Sequence, residues 1–363
     1  MNPVAPAAPA HTGPGPMPGS DPREAARIVM GECPGLPFLP ELPGRGPGAD
    51  LAGRSLAMLA DLPVDVSPRG WRLARSRGRL ARVAADLVDR DGDALEEAAE
   101  LARDPESEPR AADRRLQVRV VGPWTLAAGL ELPGGLPVLT DRGARRDLAA
   151  SLAEGSAAWA ARLAGRMRAG VRIVLDEPML WRVAAGTVPA PSHFDPIPPV
   201  PVEQLALALC RFADALRAAG ADEVLLRVPT TSVPEAPALF TAFAETPRGE
   251  TPLDGLCLDA APLYAARSHD ALDAAGTVLG DGRILQLEGA AGAGRPIADR
   301  AAAEQAANAL LGLLDRLAAP RYESLARLVL TPTEGQVTRD SSATTRALAG
   351  VRQMAEIAPH IAE

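Results

Sequence analysis

VRIVLDEPML (residues 171–180) is a run of mostly branched apolar residues that stops at two carboxylates and a proline. Such a run, without polar alternation, fits a strand buried on both faces of a parallel sheet. Its Asp-Glu-Pro ending has the composition of a loop that opens a site. The same construction recurs along the chain. LQVRVV (116–121) runs into Gly122-Pro123, and EVLLRV (223–228) runs into Pro229. GLCLDA (255–260), RILQLE (283–288) and RLVLTP (327–332) follow. Between these runs lie helical patterns with apolar residues three and four apart. The clearest is VEQLALALCRFADALRAAG (202–220), stopped by Gly220, and others cover roughly 145–169, 299–318 and 340–358. Strands alternating with helices predict βα units around a parallel sheet.

Two Pro-rich segments, 8–14 and 37–42, stand where the first two strands are needed. Counting them gives about eight repeats. The expected fold is therefore α/β, a single (β/α)8 TIM-type barrel spanning residues 1–363, with active-site groups on the loops after the strands. A doubly wound open sheet is the alternative, but no GxGxxG follows an early strand. Residues 44–110 interrupt the alternation with mixed-sign charges at helical spacing, which predicts a helical insertion between strands two and three. Residues 187–201 are too rich in Pro for helix or ladder and are expected to form an ordered surface loop near the barrel mouth.

The chain has 363 residues, 47% of them hydrophobic and 23% charged, enough to build a large core. Its net charge is −8, every basic residue is Arg, and no Lys is present, which removes Schiff-base chemistry. No basic stripe is visible in the sequence, so nucleic acid is not an expected partner. Cys33, Cys210 and Cys257 lie far apart with no CxxC, which excludes a disulfide framework and a cysteine-rich zinc module. The N-terminal stretch lacks a positive n-region and no run of 18 apolar residues exists, so the expectation is a cytoplasmic protein without membrane contact.

Five phrases, GPGPMPGSDPREAARIV (13–29), FLPELPGRGPGAD (38–50), VVGPWTLA (120–127), VLDEPMLWRVAAG (174–186) and LVLTPTEGQV (328–337), occur in an order that spans nearly the whole chain. Together they resemble the catalytic barrel of cobalamin-independent methionine synthase, most closely its short single-barrel members. That family's relatives include the uroporphyrinogen decarboxylase fold group. The resemblance implies methyl transfer from a methylated folate to the thiol of homocysteine or another thiol, in methionine biosynthesis. It also implies a zinc ion that binds the thiol and lowers its pKa. The small-molecule partners so implied are an amino acid and a folate-like ligand.

The family's zinc ligands are a His-x-Cys pair, a Glu and a Cys. At those positions this chain carries Arg227-Val228-Pro229, Asp259 and Glu334. None is a soft donor, and Arg cannot coordinate a cation, so no cofactor is expected. Arg227, Asp259 and Glu334 are instead expected either to form an ion-pair cluster, with the guanidinium standing where the metal would be, or to be unrelated solvated side chains. Asp176 matches the family's Asp that receives the substrate amino group; as a bare strand-end carboxylate it would cap the next helix. Glu177, pointing the other way, is expected to brace a loop or helix terminus. At the first strand, Gly15-Pro16-Met17 puts Pro16 where the family has Ser, removing a hydroxyl and an N–H. Gly15, Met17, Gly122, Trp124, Asp176 and Glu288 complete the candidate substrate contacts, Trp124 either stacking a pterin or filling the barrel top. Cys257 is expected to be a packed core thiol.

Three functions stay open on these residues. They are a methyltransferase with altered activation, a barrel that binds a small molecule or a protein without chemistry, and a metal-free enzyme of the decarboxylase type. The last would use Arg227, Asp259, Glu288 and Glu334 as its acid/base and anion-clamping set.

Overall fold

The computed structural model describes residues 8–103, 114–190, 196–228, 236–265, 268–292 and 297–362. The chain is an α/β fold around a curled, seven-stranded, wholly parallel sheet. Nine strands occur among the described residues: β1 (Ala10–His11), β2 (Val64–Ser67), β3 (Gly70–Leu73), β4 (Arg115–Val121), β5 (Gly170–Asp176), β6 (Glu223–Arg227), β7 (Gly255–Asp259), β8 (Ile284–Glu288) and β9 (Leu328–Thr331). The sheet order is β1-β9-β8-β7-β6-β5-β4, so neighbours in sequence are neighbours in space, as short right-handed βα units require. Each of the six later apolar runs forms a strand within a residue or two of its expected ends. The helices Arg142–Met167, Val202–Ala218, Arg300–Arg316 and Ser341–Ala362 fall where the periodicity places them.

The first two expected strands differ from the expectation. Only Ala10 and His11 form β1, pairing with Val329 and Leu330 of β9. The segment 37–42 contributes isolated bridges instead of a strand, Phe38 to Gln117 of β4 and Glu41 to Pro16. Pro37, Pro40 and Pro43 lack the N–H that a ladder needs, so pairing is confined to the residues between them. Those pairings still join the β4 edge to the loop that follows β1, the strand at the other edge. Leu39 N donates to the Gln117 carbonyl (2.9 Å), Met17 N to the Glu41 carbonyl (2.8 Å), and Glu41 N to the Gly15 carbonyl (3.0 Å).

The stretch 44–110 is not purely helical. It holds a short helix, Leu51–Ala57, then the antiparallel hairpin β2–β3, then the long helix Arg79–Leu101. Charge spacing signals the long helix well. The hairpin escapes that signal because its cue is the alternation Val64-Asp65-Val66-Ser67 around a Pro68-Arg69-Gly70 turn, with Gly70 at φ +137°. Residues 187–190 and 196–200 carry no regular structure, in line with their proline content; 191–195 lie outside the described residues.

Strand alternation separates two cores. Residues such as Leu116, Val118, Ile173, Leu175, Leu226 and Leu285 point outward and bury against the helices. Val174, Leu225 and Cys257 pack together on the inner face. Above that plug, toward the strands' carboxyl ends, the inner face turns charged.

Candidate functional site

The inner-face position after the apolar plug is Arg119 on β4, Asp176 on β5, Arg227 on β6, Asp259 on β7 and Glu288 on β8. Parallel register sets Asp176 beside Arg227 and Asp259 beside Glu288. Glu41 reaches in from the bridging segment, and Glu334 from the first turn of the helix Glu334–Val337 that follows β9. The closely spaced carboxylates are held together by two arginines.

Arg227 donates Nε and Nη2 to Glu288 Oε2, both at 2.7 Å, and Nη1 to Asp176 Oδ1 at 3.3 Å; its Nη2 lies 4.0 Å from Glu334. Arg119 donates Nη2 to Asp176 Oδ2 at 2.5 Å and Nη1 to Glu334 Oε1 at 3.2 Å and to the Pro14 carbonyl, and it stands 3.7 Å from Glu41. Asp176, 4% exposed, is thus gripped from both sides. Charge-assisted forks of this kind are short and directional.

The electrostatics follow from burial and crowding. Burial alone would lower the Arg119 and Arg227 pKa, but the carboxylates around each outweigh it and hold both guanidiniums above their ordinary value. Glu41 is pushed up by burial despite Arg119 and Arg54. Glu288 is also pushed up, by burial and then by Asp259 and Glu334, beyond what Arg227 restores. Four carboxyl groups, Glu41, Asp176, Glu288 and Glu334, therefore share two arginines.

Glu177 faces the other way and braces a helix start, as expected. Its carboxylate accepts from Trp124 N (2.9 Å), Thr125 N (2.7 Å) and Thr125 Oγ1 (2.6 Å) at the start of the helix Pro123–Gly129. Gly122 makes room for it, since a Cβ there would lie 2.3 Å from Glu177 Oε1. Gly15 has a similar place beside the cluster, with φ at +110° and a virtual Cβ 2.5 Å from Glu41 Oε1.

The expected trio is thus part of a larger lattice. Arg227 and Glu334 approach, Glu288 binds Arg227 directly, and Asp259 stands beside Glu288. Asp176 is occupied by two arginines and caps no helix; that work falls to Glu177. Met17 is buried in the outer core, 2% exposed. Trp124 is also buried, with Arg145 5.5 Å from its ring centroid, and it lines a cleft between helices. Pro229 lies outside the described residues. Sequence reasoning missed Arg119 and Glu41. The signal for Arg119 was present, because a charge inside a strand buried on both faces requires a partner. Glu41, between prolines, offered no such cue.

Zinc, which the resemblance implies, does not fit this donor set. Arg227 holds the position between Asp176, Glu288 and Glu334, and a guanidinium and a divalent cation repel one another there. The nearest thiol, Cys257, is buried below and pushed up to about 12 by burial. Among the described residues no three His, Cys, Asp or Glu side chains are grouped to hold a metal.

No protein-family model matches the chain, and no curated protein matches it in sequence. Among solved structures it is similar to a methyltransferase from Methanosarcina mazei, with 15% identity, TM-score 0.50, and coverage of 96% of this chain and 94% of that one. The chain shares the fold of this methyltransferase. Two further similar structures are a Listeria monocytogenes protein named for vitamin-B12-independent methionine synthase and a B12-independent methionine synthase from Shewanella. The first has 15% identity, TM-score 0.48, and 99% of both chains covered. The second has 13% identity, TM-score 0.43, and 72% of this chain covered; this chain covers 66% of that protein's length. No helix among the described residues is long and apolar enough to cross a membrane.

Proposed function

We propose that this methyltransferase-like barrel binds a cationic small molecule, an amine or the amino end of an amino acid, at its charged mouth, and that it does so without a metal. One observation carries this reading: around the inner mouth four carboxyl groups share two arginines, and the half-exposed Glu334 stands at the solvent side of that excess. Burial pushes Glu288 up and Asp259 and Glu334 add to that push; an added cation offsets both, and that offset is binding energy. Of the two ligand classes the resemblance implies, an amino acid suits this mouth through its ammonium group, whereas a folate would bring further negative charge.

The seven-stranded sheet, tied on both sides to the segment 37–41, supports a closed eight-position barrel as the scaffold. Thiol methylation by a zinc-activated route is not favoured, because Arg227 stands where the activating cation would sit. If methyl transfer is retained, its acceptor must be activated by a carboxylate.

Titration calorimetry with L-methionine, putrescine and a carboxylic acid lacking the amine tests the proposal. The amines are expected to bind and the acid not. Glu334→Gln and Glu288→Gln are each expected to weaken amine binding roughly tenfold, as loss of a charge-assisted contact does. Preferential binding of the acid, or zinc-dependent methylation of homocysteine, would overturn it.

A further inference from the structure

A second cleft lies away from the charged mouth. About 840 Å³ opens between the helices Arg142–Met167 and Val202–Ala218, with Trp124 from the helix Pro123–Gly129 in its lining. Four arginines line it, Arg142, Arg145, Arg146 and Arg211, with Phe212 and a set of alanines between them. In a chain of net charge −8 this is a local reversal of sign. The sequence shows no basic stripe because the fourth arginine comes from another helix.

Two of the four are already committed. Arg146 pairs with Asp147 at 3.1 Å and Arg211 with Glu250 at 3.0 Å. The other two are not: among the described residues neither Arg142 nor Arg145 forms an ion pair. Arg145 lies 5.5 Å from the centroid of the Trp124 ring, and its Nε is buried with no hydrogen-bond partner. A guanidinium held over an aromatic face keeps its N–H groups free of that ring, and Arg145 is itself part of the cleft lining. A buried donor without an acceptor is the feature a bound anion satisfies.

The lining therefore has two characters, a guanidinium end and an apolar length of alanines and Phe212. Its volume lies within the range of small-molecule sites, roughly 300–1,000 Å³. We propose that this cleft is a second binding site, for a small organic anion with a flat apolar body and a phosphate or carboxylate head. The head accepts from Arg142 and Arg145, and the body lies along Phe212 and the alanines. The site is independent of the amine site at the barrel mouth, and opposite to it in charge preference.

The experiment is titration calorimetry of the full chain with 1-naphthyl phosphate, with 1-naphthol and inorganic phosphate as the two halves of that probe. The expected result is one site per chain for naphthyl phosphate, with each half binding at least about tenfold more weakly. Arg142→Gln, at an exposed position, and Arg145→Gln are each expected to weaken naphthyl phosphate roughly tenfold. Ala208→Trp, which fills the cleft, abolishes binding. Glu334→Gln leaves it unchanged, so failure here is distinguishable from failure at the mouth. Circular dichroism on each variant confirms that the fold is kept. Equal affinity for inorganic phosphate, indifference to both arginine substitutions, or loss of binding in Glu334→Gln would each overturn the proposal.

Discussion

Arg227 donates to Glu288 and Asp176 and lies within reach of Glu334, and among the described residues no other side chain joins the same three groups. Its replacement by Met leaves Asp176 and Glu334 with Arg119 as their counter-charge and takes from Glu288 the arginine it binds. Removing one member of a buried ion-pair set costs about 3–5 kcal/mol. Arg227→Met is accordingly expected to lower the urea midpoint at pH 7 strongly and to recover part of the loss at pH 5, because burial already pushes Glu288 up and losing Arg227 removes what opposed that push. A loss as large at pH 5 as at pH 7 would show that the arginine acts through packing alone. Glu177 offers a cleaner titration. Burial raises its pKa from the ordinary 4.5 to about 7, against the pull of its three donors. The folded chain then holds a proton that the unfolded chain releases near 4.5. Stability is full below that pH and falls as pH rises through about 7, by about 3 kcal/mol for this one group. Thermal midpoints measured from pH 4.5 to 8 should decline, and the decline should be shallower in Glu177→Gln.

The stretch 44–110 matters to the site at the level of elements. Ser55 Oγ, on the helix Leu51–Ala57, accepts from Val121 N at 2.9 Å, capping the strand end that precedes Gly122. That helix is fixed in turn by Arg54, 2% exposed, which donates to Asp91 of the helix Arg79–Leu101, while Arg45 donates to the same carboxylate at 2.6 Å. Asp91→Ala strands two buried guanidiniums. An expected loss of about 3–5 kcal/mol in denaturant stability follows, with Asp91→Asn recovering little because the charge is still missing. Neither partner was legible beforehand. Asp91 sits among evenly spaced surface-type charges, and only its burial separates it from Asp89 and Asp93, which Trp159 and Arg166 meet at the exposed side. The long helix itself was legible, because its three- and four-residue apolar spacing is a local property. The hairpin before it was not, because two four-residue strands are too short to overcome the surrounding charge pattern.

At the scale of the whole molecule the two arginine-bearing regions divide the chemistry. The mouth gathers surplus carboxylates around two committed arginines, and the outer cleft gathers arginines around an apolar floor. A donor set in which a guanidinium stands between carboxylates leaves no place for tight zinc binding. Purified protein dialysed against a chelator is therefore expected to keep its thermal midpoint within about 1 °C, since only a ligand that binds the folded state shifts it. A fall of several degrees restored by zinc would mean that donors outside this lattice bind the ion.

The sequence by itself determined six of the seven sheet strands, the long helices between them, and the carboxylates at the strand ends. These are local properties: apolar period, chain breakers, and residue type are all written within a few positions of one another. The tertiary structure decided who pairs with whom. Asp176 meets Arg119 from 57 residues before it and Arg227 from 51 after it: parallel register sets Arg227 beside it, and Arg119 reaches up from beside Val174. It also decided that prolines would reduce the second strand to single bridges, and that arginines from two helices would face one cleft. Distances between groups far apart in the chain are set by packing, and packing is a property of all the elements at once.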